Sequence, residues 1–333
     1  MYRLVGLQWI LCDLYRKTIA KLKTVHLKLY TIRTNNSRGK KYMQEIGVGD
    51  IHTHTMYSGF SKYSFLSYPD SVTTPRTSVR VAEKLGLDVL CITDHNTIKG
   101  AIEARKYNRE LVVIGEEISS KGGEILGLFL QEQVNPGLSP EETIEQIHMQ
   151  DGIAIAPHPF SAHCSCVGRK INTLKFDGIE VFNALHRDGY SNAVALESCN
   201  GHAKLGGSDA HASYMIGNGY TLFDGSSQED LRAGIKNKQT IYGGKVASLR
   251  DFVNYSSRVA YESSKTILNF NDVDCPMSAR ISRVRNSRKI LYLVGSILYA
   301  FSPMPVVCTL IGDRMLKKKG RRIWRDAHPL GTG

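Results

Sequence analysis

The chain is predicted to fold as an α/β protein with a largely parallel sheet, open or closed into a barrel, and three observations support this. Short apolar runs alternate with helical patterns from residue 46 to about 240, the signature of βαβ units. The runs are nearly continuous in Val, Ile, Leu and Ala, as expected of strands covered on both faces. A histidine or an acidic residue stands at or just after the end of five of them, where sites assemble in parallel α/β folds.

The strand candidates in order are 46–51, 88–92, 111–115, 125–130, 153–156, 178–182 and 203–206. Helices are expected over Thr77 to Leu85, Thr97 to Tyr107, Ser139 to Met149 and Tyr190 to Cys199. The clearest entry is Ser139-Pro140-Glu141-Glu142, with Ser as N-cap, Pro at N1 and an acid at N3. A closing unit follows, strand Gly219–Phe223 and helix Gln228–Asn237. These elements form one domain over residues 46–245, flanked by extensions at 1–45 and 246–333.

Charge separates the core from its ends. The whole chain carries +12, residues 1–49 carry +8 and residues 276–333 carry +10, which leaves residues 50–275 at −6. An acidic core disfavours an extended nucleic-acid footprint around the site. The ends point to an anionic membrane surface as partner, through residues 1–30 and 283–325. Leu4, Leu7, Leu11 and Leu14 among Arg16, Lys17, Lys21 and Lys23 make a basic amphipathic helix, which can lie on a bilayer or pack on the domain; equally, the segment is a targeting or dispensable extension. Residues 290–311 are apolar and uncharged, but Pro303 and Pro305 interrupt them. A span, a re-entrant or in-plane segment, and a docked helical pair all stay open. The expected location is cytoplasmic, peripheral to a membrane or anchored at it. Seven cysteines without a CxxC pair favour reduced thiols over a disulfide framework, and Cys164-Ser165-Cys166 is a weak zinc motif beside that reading.

The chemistry lies in five motifs. Asp50-Ile51-His52-Thr53-His54 ends the first strand, and residues two apart on a strand share a face, so two imidazoles can meet one metal ion. Thr93-Asp94-His95, Glu116-Glu117, Pro157-His158 and Ser208-Asp209-Ala210-His211 end later strands. Asp94 can orient His95 from behind, and Asp50 can do the same for His52 or face solvent. His148, His163, His186, His202 and His328 read as structural or solvated.

In type and order these motifs resemble the PHP (polymerase and histidinol phosphatase) family, most closely its stand-alone branch of predicted metal-dependent phosphoesterases. The resemblance covers roughly residues 46–240. It implies a distorted (β/α)7 barrel, here with basic, apolar-rich helical extensions at both ends, holding two or three divalent ions of the manganese, zinc or iron class. By motif match the ligands are His52, His54, His95, Glu117, His158, Asp209 and His211, with Glu124 where many members place a histidine. Asp209 and His211 are also the candidates to move a proton. Arg187 and, less directly, Arg169 or Lys99 are candidates to clamp phosphate. One departure stands out: Gly59 follows the HxH motif where members commonly place another ligand, so two ions are expected. The implied activity is hydrolysis of a small phosphate ester by metal-activated water. A nuclease acting on DNA or RNA ends, and a catalytically weak metal-stabilised binding or regulatory module, are the alternatives.

Overall fold

The computed structural model describes residues 45–63, 66–268 and 285–329. All of the amphipathic extension read at 1–45 except Glu45 lies outside the described residues, as do Cys12 and Cys275.

Nine strands form one sheet in the order β11-β10-β1-β4-β5-β6-β7-β8-β9. They are β1 (Ile46–Thr53), β4 (Val89–Ile92), β5 (Val112–Ser120), β6 (Gly123–Leu128), β7 (Ile153–Ala156), β8 (Gly178–Asn183), β9 (Ala203–Gly207), β10 (Gly219–Asp224) and β11 (Ile241–Gly244). The chain then closes the sheet on itself. Just past β9 and β1, Ala210 bridges Thr53 in parallel, His54 N donates to Ala210 O at 3.0 Å and Asp209 N to His52 O at 2.8 Å.

The sheet is less parallel than the alternation implied. Pairs β1–β4, β4–β5, β7–β8 and β8–β9 are parallel. By contrast, β6 runs antiparallel to both neighbours, and β10 to β1 and β11. The cause is local: only Lys121 and Gly122 separate β5 from β6, too few for a crossover, and Gly123 turns the hairpin at φ 131°, so it must reverse direction. A separate two-stranded arm, β2 (Phe60–Tyr63) with β3 (Leu66–Pro69), was not foreseen.

The barrel interior is apolar. Ile51, Val89, Cys91, Val113, Leu126, Leu128, Ile153, Ile155 and Leu205 fill it, and burying each large aliphatic contributes about 1.5–3 kcal/mol. Phe223 plugs the end away from the site, and a Cβ on Gly47 would stand 2.4 Å from its ring. Leu231 and Ile235 close that end from α5 (Gln228–Lys236).

Outside lie α1 (Pro75–Leu85), α2 (Lys99–Arg105), α3 (Pro140–Met149) and α4 (Ser191–Ser198), all within two residues of the expected bounds. At α3 the Ser139 side chain accepts from Glu142 N, and the Glu142 carboxylate accepts from Ser139 N. That capping box contributes about 1 kcal/mol. The C-terminal extension forms α6 (Leu249–Leu268), α7 (Asn286–Ala300) and α8 (Met304–Ala327). The apolar run at 290–311 is thus broken into two helices bent by 81°. Among the described residues no single helix is long and apolar enough to cross a membrane.

Candidate metal centre

The five strand-end motifs converge at one end of the barrel. β1 carries an irregularity between Asp50 and Thr53, the stretch that includes His52, and bulges of this kind re-aim side chains. His52 Nε2 and His54 Nε2 face each other at 3.1 Å, as the two-residue spacing requires.

Glu117 lies at the centre of the cluster. Its Oε1 is 3.0 Å from His158 Nε2, while its Oε2 lies 3.4, 3.3 and 3.1 Å from His52 Nε2, His54 Nε2 and His95 Nδ1. The two oxygens of one carboxylate therefore serve two groups of imidazoles. Asp209 Oδ1 faces His54 Nε2 at 3.2 Å and His52 Nε2 at 3.5 Å. Its other oxygen accepts from Asn183 Nδ2 at 3.1 Å. Asp209 (φ 51°) and His158 (φ 27°) both have left-handed backbone, a strained conformation for residues with a Cβ and one that clusters at functional sites.

Three of the inward-facing imidazoles are fixed from behind. His52 Nδ1 meets Glu180 Oε1 at 3.1 Å. Glu180 Oε2 in turn accepts from His158 N and Asn183 Nδ2. Ser58 Oγ donates to Asp94 Oδ1 at 2.8 Å, so its lone pairs must accept the Nδ1–H of His54 at 2.9 Å. His211 Nδ1 donates to Asp209 O at 2.9 Å. In all three the Nε2 is the nitrogen left for the centre.

Two supporting roles differ from expectation. Asp94 does not orient His95; it binds Thr55 N, Thr55 Oγ1 and Ser58 Oγ, and so acts on His54. Asp50 neither faces solvent nor touches the His52 ring; it accepts from Ser208 N, Gly217 N and His52 N and clamps β1 to the segment after β9. Burial pushes its pKa up to about 6 against those hydrogen bonds. Glu180, not Asp50, holds His52.

The position of Gly59 has a carboxylate beside it. Asp70 N donates to Gly59 O at 3.0 Å, so these two residues form the neck of the β2–β3 arm. Asp70 Oδ2 points to His211 Nε2 at 3.2 Å and His95 Nε2 at 3.6 Å. A carboxylate thus stands beside Gly59 after all, supplied eleven residues later in the chain. His54, Asp70, His95 and His211 offer ligand atoms within 4.8 Å of one another.

Further groups with ligand atoms within the same distance are His52, His54 and Asp209; His52, Glu117 and His158; and Glu124, His158 and Cys164. Glu124 Oε2 is buried with no hydrogen-bond partner, and burial with the charge of Glu117 pushes this carboxyl up to about 8. Cys164 was read as an ordinary loop thiol. His186 is buried, not solvated, stacked on His158 with ring centroids 5.3 Å apart.

Electrostatics agree with a cation-binding role. Burial resists charge on Glu117 and Asp209, yet surrounding imidazoles, chiefly His95 and His52, hold Glu117 well below the usual range, and His52 does the same for Asp209. Burial likewise lowers His54, but Asp209 and Glu117 outweigh it and raise its pKa to about 10. With protein groups alone, protons take the position between carboxylate and imidazole that a metal ion would take. Mixed imidazole and carboxylate shells, an orphaned Glu124 oxygen and opposed ring nitrogens fit divalent ions of the borderline class.

The two arginines read as phosphate clamps are engaged elsewhere. Arg187 pairs with Asp313 at 3.1 Å and lies over the Phe252 ring, and Arg169 donates to Asp326 O at 2.7 Å. Both guanidinium groups hold α8 against the barrel. Lys99 begins α2, and its side chain is exposed.

Fold and site together define an α/β barrel with a histidine and carboxylate metal centre at one mouth. Residues 192–240 match the PHP-associated family model. The chain is 55% identical over 150 residues to the uncharacterized protein MJ1587 of Methanocaldococcus jannaschii, covering 44% of this chain and 88% of that one. A second protein of that organism, uncharacterized protein MJ1588, is 36% identical over 115 residues, 34% of this chain and 99% of its own. Among solved structures, a protein from Bifidobacterium adolescentis named for metal-dependent phosphoesterase activity has a TM-score of 0.43 at 17% identity, covering 57% of this chain and 96% of its own. The lesion-specific endonuclease EndoQ of Pyrococcus furiosus has a TM-score of 0.42 at 16% identity, covering 84% and 90%. At those scores the functional reading rests on the residues of this chain.

Proposed function

We propose that this chain is a metal-dependent phosphoesterase that hydrolyses a small phosphorylated molecule. The observation that carries the reading is Glu117, whose two carboxylate oxygens are divided between His158 on one side and His52, His54 and His95 on the other. A carboxylate so placed would offer one oxygen to each of two neighbouring cations.

Three subsites follow from the residues: His52, His54, Glu117 and Asp209; Glu117, Glu124 and His158, with Cys164 at its edge; and Asp70, His95 and His211. Divalent ions held there supply charge neutralisation for phosphate oxygens and acidify the attacking water. The protein does the positioning. Glu180, Ser58 and the Asp209 carbonyl hold three imidazoles with Nε2 inward, and Asn183 keeps Asp209 from rotating. His95 and His211, with side chains 24% and 12% exposed, are the ligand histidines open to solvent, so the phosphate enters beside them.

The test is hydrolysis of nitrophenyl phosphates and nucleotides by the full chain with added manganese. Activity that disappears in His52→Ala and Asp209→Ala is expected, and a rate unaffected by both replacements refutes the assignment. Release of nucleotides from DNA or RNA ends, with no action on small esters, transfers the same site to the nuclease reading.

A further inference from the structure

We propose that the α7–α8 helical pair is a membrane-docking arm that lies in the interface of an anionic bilayer without crossing it. The inference is independent of the metal chemistry. Of the twenty large hydrophobic side chains exposed among the described residues, thirteen fall within residues 290–315. Leu291, Val294, Leu298 and Phe301 follow one another at helical spacing, and three of them are 72%, 66% and 87% exposed. Met304, Val307, Ile311 and Met315 continue the stripe on α8. No Asp, Glu, Lys or Arg occurs from 290 to 312. Exposed apolar surface on this scale marks an interaction site.

Anchorage of the arm is one-sided. From Asp313 onward α8 is fixed to the barrel, through Arg187–Asp313 at 3.1 Å, His328–Glu197 at 2.9 Å and the Trp324–Tyr190 ring contact. At Gly320 a Cβ would stand 2.6 Å from Asp188 Oδ1, so the helix backbone presses directly on the loop after β8. The apolar half projects from that base, with α7 packed on α6.

Charge decides what covers the arm. Arg285 and Arg288 precede the apolar run, and Arg314, Lys317, Lys318, Lys319, Arg321 and Arg322 follow it, all exposed. A second copy would bring the same positive charge to the same face. Residues 1–44, with ten Lys and Arg against Asp13, would do likewise. An anionic lipid surface complements both features, apolar stripe to acyl boundary and cations to headgroups. The bend of 81° suits a segment lying along the surface.

The experiment is co-sedimentation of the full chain with vesicles of phosphatidylglycerol and phosphatidylcholine, and with pure phosphatidylcholine, at low and high salt. Binding to the anionic vesicles at least tenfold tighter than to the neutral ones, and weakened by salt, is expected. The triple replacement Leu291→Asp, Leu298→Asp and Phe301→Asp should lower vesicle binding at least tenfold and leave the thermal unfolding midpoint unchanged, because these side chains are exposed. Replacing Lys317, Lys318 and Lys319 with Glu should abolish the preference for anionic lipid. Undiminished binding by the triple Asp variant overturns the proposal, as does a wild-type chain that self-associates and stays in the supernatant with every vesicle.

Discussion

Replacing Asp70 with Asn tests how many ions the centre holds. The amide keeps the size of the side chain and removes one negative charge. Asp70 Oδ2 lies 3.2 Å from His211 Nε2 and 3.6 Å from His95 Nε2, so an ion bound among them sits within about 4 Å of that charge. At an effective dielectric of about 20, one unit charge at about 4 Å contributes about 4 kcal/mol, and twice that toward a divalent ion. Allowing for the ligand oxygen that the amide still offers, a loss of about 3 kcal/mol is expected, or roughly 100-fold in affinity at that subsite. Equilibrium dialysis against manganese or zinc with elemental analysis measures this. The expected result is a third equivalent in the wild type that weakens in Asp70→Asn, the other two being unchanged. Two equivalents in both proteins with equal affinities would refute the reasoning.

Further outcomes are expected elsewhere. Glu180→Gln should weaken metal binding by about 10–100-fold, the usual cost of losing an outer partner of a ligand histidine, read by the same dialysis. Gly100→Ala should lower stability by about 1–3 kcal/mol in a thermal melt, because its Cβ would stand 1.8 Å from Asp94 Oδ2 and 2.4 Å from Thr55 Oγ1. Burial pushes Glu116 from 4.5 up to about 7; the folded chain then holds a proton that the unfolded chain has lost, so stability falls as pH rises from 4.5 through 7. That gap, at about 1.4 kcal/mol per pH unit, sets an upper bound of about 3 kcal/mol for Glu116→Gln stabilisation at pH 8, fading toward pH 4.5. Cobalt-loaded protein should show thiolate-to-cobalt absorbance that Cys164→Ser removes, since Cys164 offers its sulfur within 4.8 Å of the Glu124 and His158 ligand atoms.

The sequence was legible where function and local structure share a short stretch of chain. Strand ends carrying His52, His54, His95, Glu117, His158, Asp209 and His211 could be read because each motif sits on its own apolar run, and the structure brings all seven together. Asp70 could not, because its position depends on a hairpin that folds it back to Gly59. Glu180 did leave a signal, an acid inside the apolar run Gly178-Ile179-Glu180-Val181-Phe182, since a charge there must find a buried partner. Cys164 and His186 reach the site through loops, whose paths no periodicity encodes. The antiparallel β6 was misjudged for a similar reason: an apolar run states burial, and only the length of the preceding turn states direction.

The neck formed by Gly59 and Asp70 makes the centre modular. The other ligand candidates, His52, His54, His95, Glu117, Glu124, His158, Asp209 and His211, belong to the closed sheet or the turns that leave it, and cannot be lost without disturbing the barrel. Asp70 hangs on an arm outside that sheet, and the base of the arm is tied back by Asp70 N to Gly59 O, by Val72 N to His211 O and by the Ser71 hydroxyl to the His54 and His211 carbonyls. With the third subsite proposed above, an insertion or deletion in the arm would remove one of its ligands while leaving the sheet that carries the others unchanged.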